Sequence, residues 1–320
     1  MSPGLSCRSR QFAKVMKQMV GVPEHMAKRT QTRGPAVETL LYIRNRFHPL
    51  FHLRRFSLFQ RVTRLLDIPV PIRHDLISHP IYMSFSKNLS SVLTGGAAGE
   101  EHERKNFVWI VKTGQFQSFI DIGANVGLYG FLFGSVVDGG RVTFVEPDKC
   151  NSALIRKTIE KTKLPAVLVE AAASDHVGQL QFHQDNITGA TGSVVLGGDK
   201  SFVAMYHRRK PTSVTVNATT VDELCNLDIP DFIKIDVEGA ELGVLSGAGK
   251  VLSQSQPALM FECGDENEES VRKFLLHFGY CFFEMTSLSR TDKLPYNCLA
   301  LHNHRHSLLI SAIEANQPAG

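Results

Sequence analysis

The stretch from Phe119 to Phe131 reads FIDIGANVGLYGF. An apolar run ends on Asp121, the chain turns through Gly123, Asn125 and Gly127, and a second apolar segment begins. A buried strand that delivers an acid, followed by a glycine turn and a helix, is the usual first unit of a nucleotide-type binding sheet. A dinucleotide fold would need G-x-G-x-x-G, whose middle glycine lets a pyrophosphate approach the backbone. That glycine is missing here, and the Asp121 carboxylate would repel a pyrophosphate.

A carboxylate at this place suits a ligand with an ammonium group. The free N–H groups of a helix starting near Asn125 suit a small anion such as an amino-acid carboxylate. Glu146 then ends the next strand, where an acid can accept two hydrogen bonds from ribose hydroxyls. An amino acid at one end and a nucleoside at the other describe S-adenosylmethionine. A dehydrogenase is the competing reading.

Working outward, short apolar runs at FQSFID, RVTFVE, AVLVEAA, DFIKID and ALMFE alternate with helical segments, the signature of a parallel α/β sheet. The helical segments are NVGLYGFLFGSVV, KCNSALIRKTIEKT, GAELGVLSGAGKVL and NEESVRKFLLHFG. Thr220 and Glu223 predict a capping box before a short helix. YCFFEMT and NCLALH predict a closing antiparallel hairpin. The expected fold is therefore α/β: a Rossmann-like, mostly parallel seven-stranded sheet with a terminal antiparallel hairpin, preceded by a basic, mainly helical extension. The expected divisions are a leader at 1–64, a helical and strand lead-in at 65–116, a catalytic domain at 117–302 and a flexible tail at 303–320.

With 320 residues, 43% of them hydrophobic, the chain can bury one substantial core. No apolar run reaches the ~20 residues needed to span a bilayer. Six scattered cysteines with no C-x-x-C pair read as reduced core residues and point to the cytoplasm rather than to disulfides or zinc. Residues 1–64 hold thirteen Lys and Arg against Glu24 and Glu38, a charge of +11, so the remainder carries −7 of the net +4. This leader, broken at Pro49, reads as a helical lid on the catalytic domain. Peripheral contact with an acidic surface and a mitochondrial presequence are the competing readings.

The end of the fourth strand would face the reactive end of the cofactor, and there the sequence is FIKIDVEGAE, residues 232–241. Neither Pro-Pro-Tyr nor Pro-Cys is present, so methylation of base amino groups or of pyrimidine C5 is disfavoured and a hydroxyl acceptor is favoured. Asp236 and Glu238 are placed to take the hydroxyl proton.

DIGANVGLYGF, FVEP, ATTVDEL, IKIDVEGAELGVLSGA and MFE together resemble, in order, the FkbM-type methyltransferases. The resemblance covers residues 117–302 and implies a class I, S-adenosylmethionine-dependent O-methyltransferase acting on a hydroxyl of a sugar, glycan or natural product. Carried onto this chain, it implies that Asp121, Gly123, Asn125 and Gly127 form the methionine-side loop, that Glu146 holds the ribose, and that Asp236 and Glu238 are the acceptor-side acids. The chain departs from the family at Gly130, where Ser or Thr is common.

Asp175 either reaches the adenine or starts the next turn. Glu262 ends the fifth strand and is a candidate for the acceptor pocket, and Lys234 reads as an ion-pair partner. The insertion from about Asp185 to Lys210 is expected to lie over the acceptor, with Arg208, Arg209 and Lys210 read as a solvated charge run before an anion site. His183 and His207 read as surface groups. Asp236, Glu238 and Glu241 could hold Mg2+, but the metal-free reading is preferred. The expected partner is a small-molecule or glycan hydroxyl. RNA ribose methylation and a non-catalytic S-adenosylmethionine-binding module are the alternatives.

Overall fold

The computed structural model describes residues 67–88, 101–184, 192–194, 212–226, 229–264 and 266–316. The readings of the leader and of His207 to Lys210 lie outside these residues.

The main sheet has the order β12-β11-β13-β10-β9-β3-β4-β5. Its parallel part is β3 (Ser118–Ile122), β4 (Arg141–Val145), β5 (Ala166–Val169), β9 (Phe232–Ile235) and β10 (Ala258–Glu262). β13 (Asn297–His302) joins β10 antiparallel, and β11 (Tyr280–Glu284) joins β13 antiparallel. The sheet is thus the expected Rossmann-like one with its antiparallel end, with one correction. It is a mixed sheet of eight strands rather than seven, because the loop between β11 and β13 adds the two-residue β12 (Arg290–Thr291).

The helices are α1 (Glu101–Thr113), α2 (Leu128–Val136), α3 (Lys149–Thr162), α4 (Val221–Leu224), α5 (Glu241–Ser246), α6 (Gly249–Gln254), α7 (Glu268–His277) and α8 (Ser307–Ala315). Thr220 caps α4, its hydroxyl accepting from the Glu223 N–H at 3.1 Å. GAELGVLSGAGKVL forms two helices, α5 and α6, rather than one. At the break, a Cβ on Gly247 would sit 2.1 Å from the Ser174 carbonyl oxygen, so the backbones meet where a continuous helix could not fit a side chain.

Two smaller sheets were not legible beforehand. β1 (Pro69–Ile72) and β2 (Ile81–Ser84) form a hairpin, and β2 is tied to α3 by the Tyr82 N–H donating to Thr158 Oγ1 at 3.0 Å. β6 (Ala172–Ala173), β8 (Thr212–Thr219) and β7 (Gly178–Gln184) form a three-stranded sheet. The expected tail also needs correcting. Leu309, Ile310 and Ile313 recur at helical spacing, and burying them beside the α1 core residues holds 307–315 as a helix.

Every residue of β3 is buried, as is every residue of β9, because both strands are central and covered on both faces. Alternation sorts their side chains. Phe119 and Phe232 enter one core with Phe107, Phe131, Phe133 and Phe144, while Ile120, Ile122, Ile233 and Ile235 enter the core on the other face. Asp121, Lys234 and Asp236 share the parity of the aromatic face, and Asp121 is in register with Lys234. The sheet therefore brings two acids and one cation together at its carboxyl edge.

Candidate active site

The turn after β3 is held by backbone rather than by side chains. Gly123, Asn125 and Gly127 have φ values of 69°, 54° and 82°, and the Gly123 and Ala124 N–H groups both donate to the Val145 carbonyl, at 3.0 and 3.2 Å. A Cβ on Gly123 would lie 1.9 Å from the Asp236 carbonyl oxygen. The two loops that carry the site are packed backbone to backbone, and glycine is obligatory at that contact.

Glu146, 4% exposed, joins the same loops. One carboxylate oxygen accepts from the Asn125 N–H at 2.7 Å and the other from the Asp148 N–H at 2.8 Å. Burial pushes its carboxyl up to about 8, against the pull of those two donors. The Asn151 side chain donates to the carboxylate as well, which leaves it one further acceptor position for a ligand.

A cleft of about 670 Å3 opens beside this loop, lined by Gly123, Asn125, Glu146, Asp148, Ala171 to Ala173, Asp236 and Glu238 among others. Asn125 Oδ1 is buried and has no hydrogen-bond partner, as a group awaiting a ligand donor would be.

Not every expected ligand residue reaches the cleft. Asp121 is 1% exposed and lies behind the loop, where it accepts the Gly130 N–H at 2.9 Å and approaches Lys234 Nζ at 4.0 Å. Burial raises its carboxyl to about 6, opposed by Lys234 and by that hydrogen bond. Gly127 shapes the turn and starts α2 without lining the cleft. Asp175 stands in solvent, its side chain 59% exposed and paired with His176, while the three alanines just before it form the cleft wall. Gly130 also has a physical reason. A Cβ there would meet the buried Phe144 ring at 2.1 Å, so a larger residue is excluded while the backbone N–H still serves Asp121.

At the far side of the cleft, Lys234 Nζ donates to Asp236 Oδ2 at 3.0 Å. Burial pulls the Lys234 ammonium down, but the carboxylates of Asp236 and Asp121 outweigh this and hold it above its ordinary value. Glu238 sits at φ 53°, a left-handed conformation rare for a residue with a Cβ, and its carbonyl accepts from Ser193 Oγ at 3.1 Å. The described part of the insertion, Gly192 to Val194, thus lines the cleft. Glu241 is drawn into its own turn, accepting the Gly239 N–H at 2.8 Å, and burial raises its carboxyl. Among the described residues, no three acids, histidines or cysteines converge as a metal site.

A second pocket, of about 310 Å3, is lined by Glu103, Tyr129, Lys234, Asp236, Met260, Glu262 and Asn297 among others. Asp236 lines both cavities. Sequence reasoning missed Glu103 and Asn297, which come from α1 and β13 and are distant from any motif, and passed over Tyr129 inside the glycine-turn stretch that begins α2.

Residues 121–282 match a family model described as a methyltransferase FkbM domain, half of the chain. The chain belongs to the FkbM methyltransferase family. The match begins on Asp121 and holds both Glu146 and the Asp236-to-Glu241 turn. S-adenosylmethionine is the cofactor of this domain, and the cleft fits it: the Glu146 carboxylate at its wall, an unsatisfied amide oxygen on Asn125, and a side-chain-free approach at Gly123. The chain is also similar to three solved structures. One is the methyltransferase FkbM from Methylobacillus flagellatus KT, with 17% identity and a TM-score of 0.40 over 58% of this chain and 43% of that one. The second is a methyltransferase from Geobacter sulfurreducens, with 12% identity and a TM-score of 0.40 over 76% and 97%. The third is a precorrin-6y C5,15-methyltransferase from Geobacter metallireducens, with 14% identity and a TM-score of 0.38 over 62% and 86%. The FkbM chain thus spans less than half the length of its namesake structure. No curated protein matches the sequence. Among the described residues, no helix is long and apolar enough to cross a membrane.

Proposed function

We propose that the chain is an S-adenosylmethionine-dependent O-methyltransferase acting on a hydroxyl of a sugar, glycan or natural product. The observation that carries this reading is the place of Asp236 in the wall shared by the two cavities. When bound, the cofactor supplies a methyl group on a sulfonium, an electrophile for in-line displacement.

The residues of this chain do the rest. Glu146 and Asn125 bind the cofactor, the first by accepting from a ribose hydroxyl and the second by receiving a donor at its amide oxygen. Asp121 acts through the loop, holding the start of α2 and Lys234 in place. Lys234 fixes the direction of the Asp236 carboxylate. Asp236 accepts the proton from the acceptor hydroxyl as that oxygen bonds to carbon, and the electron pair of the broken bond stays on sulfur. Glu238, in its strained turn, positions the acceptor. Asp148 and the alanine strand take the base end that Asp175 does not reach.

The direct test is an untargeted product search with isotopically labelled methyl donor, run beside Asp236→Asn. Label in an ether methyl that depends on Asp236 is expected. Label on nitrogen or carbon would overturn the hydroxyl reading, and its absence from every product would overturn the activity.

A further inference from the structure

The second pocket carries chemistry that the family-matched region alone does not account for. Glu103 and Asn297 lie outside residues 121–282, one before and one after them. Asn297 stands opposite Glu262 across the β10–β13 pair, so the two share one end of the sheet. Glu103 is pre-set from the opposite side, because its carboxylate accepts from Thr286 Oγ1 at 2.9 Å and the neighbouring Asn106 side chain donates to the carbonyls of Met285 and Thr286 at 2.9 and 2.7 Å. Residues flanking the matched region thus supply walls of a pocket that Asp236 also lines.

The charges in this pocket are unbalanced. Among the described residues lining it, Glu103, Asp236 and Glu262 face one cation, Lys234. That ammonium is committed to Asp236 at 3.0 Å and to Asp121 at 4.0 Å, and the side chain is only 9% exposed. An anionic group entering here would meet carboxylates and no available ammonium. Hydroxyl and ammonium groups would instead find acceptors: Glu103, Glu262 and the Asn297 amide oxygen.

Resting on the methyltransferase reading above, we propose that the second pocket is the acceptor subsite. Glu103 and Glu262 make it select polyols that are neutral or carry an ammonium over polyols that carry a carboxylate or phosphate near the reacting hydroxyl. The innermost hydroxyl meets Asp236 at the wall shared with the cofactor cleft, and the more distant polar groups of the acceptor lie against Glu103 and Glu262.

The test uses the full chain with three matched pyranoses as probes: glucosamine, glucose and glucuronate. Binding is followed by ligand-observed NMR at low salt, with and without S-adenosylhomocysteine. Glucosamine is expected to bind about 10-fold or more tightly than glucuronate, as charge-assisted hydrogen bonds require, with glucose between them. Glu103→Gln keeps an oxygen for Thr286 and should shrink that preference, as should Glu262→Gln. Two variants on different elements, each checked by thermal melting, keep the outcome readable if one does not fold. Equal or tighter binding of glucuronate, binding of none of the probes, or a preference untouched in both variants would overturn the proposal. Failure of S-adenosylhomocysteine to bind is seen separately and would overturn the methyltransferase reading instead.

Discussion

The two cavities that meet at Asp236 are built in different ways. The first is made by backbone: positive-φ glycines, carbonyls and N–H groups brought within 3.3 Å, and a buried glutamate that staples two turns together. The second is made by side chains from α1, α2, β9, β10 and β13, elements separated by up to nearly two hundred residues. A backbone-built site is rigid and tolerates few changes, which suits a ligand that does not vary. A site built from side chains on separate elements can change its choice of ligand one residue at a time without disturbing the turn next to it.

The largest expected effect lies where the two cavities join. Asp236→Asn should bind the cofactor almost normally yet transfer methyl groups on the order of 10² to 10⁴ times more slowly, measured in a single turnover at saturating cofactor. A wild-type rate would remove Asp236 from the chemistry and separate the two cavities.

Next comes Lys234→Met, which strips the cation from between Asp121 and Asp236. Leaving the buried Asp121 carboxylate uncompensated should cost about 3 to 5 kcal/mol at neutral pH, read by urea unfolding. The loss should shrink toward pH 4 as Asp121 takes up a proton. A pH-independent loss would mean that packing, not charge, holds this junction.

Gly123→Ala should cost roughly 1 to 3 kcal/mol of stability, because the new methyl group meets a carbonyl oxygen and the backbone conformation itself disfavours a side chain. An isosteric change in the second pocket, such as Glu262→Gln, should cost far less. Equal losses at both sites, by thermal or chemical unfolding, would break the contrast between a backbone-built and a side-chain-built cavity.

The effect with the narrowest reach is the pH dependence contributed by Glu146, a single group in the first cavity. Its folded carboxyl is raised to about 8, so it holds its proton more tightly when folded. The stability it contributes is full below the ordinary carboxylate range, near 4.5, and is lost as pH rises toward 8. The slope is at most about 1.4 kcal/mol per pH unit. Comparing wild type with Glu146→Gln from pH 5 to 8 checks the sign: the variant should lose less stability than wild type over that range.

The same contrast decides what could be read from the sequence. The turn from Asp121 to Gly127, the acid at Glu146 and the DVEG segment are local patterns, and their strands run as apolar stretches because both faces are covered. The eighth strand was not legible, since two residues such as Arg290 and Thr291 carry no periodicity. The three-stranded sheet was hidden by the long insertion that separates β7 from β8. Asp121 looked like a ligand residue because it ends a strand, but strand parity turns it to the aromatic face, where Gly130 and Lys234 claim it. Asp175 looked like one for the same reason, yet the cleft stops at Ala173. Glu103 and Asn297 could not be found at all, because only the folded sheet brings α1 and β13 to the same edge.

The central claim is that the backbone-built cleft holds S-adenosylmethionine through Glu146, and calorimetric titration of the full chain with the cofactor tests it most directly. Wild type should bind, and Glu146→Ala should bind more weakly by roughly 1 to 3 kcal/mol, the worth of the buried hydrogen bonds it removes. Unchanged affinity in a folded Glu146→Ala variant, or no binding to wild type, would contradict the account.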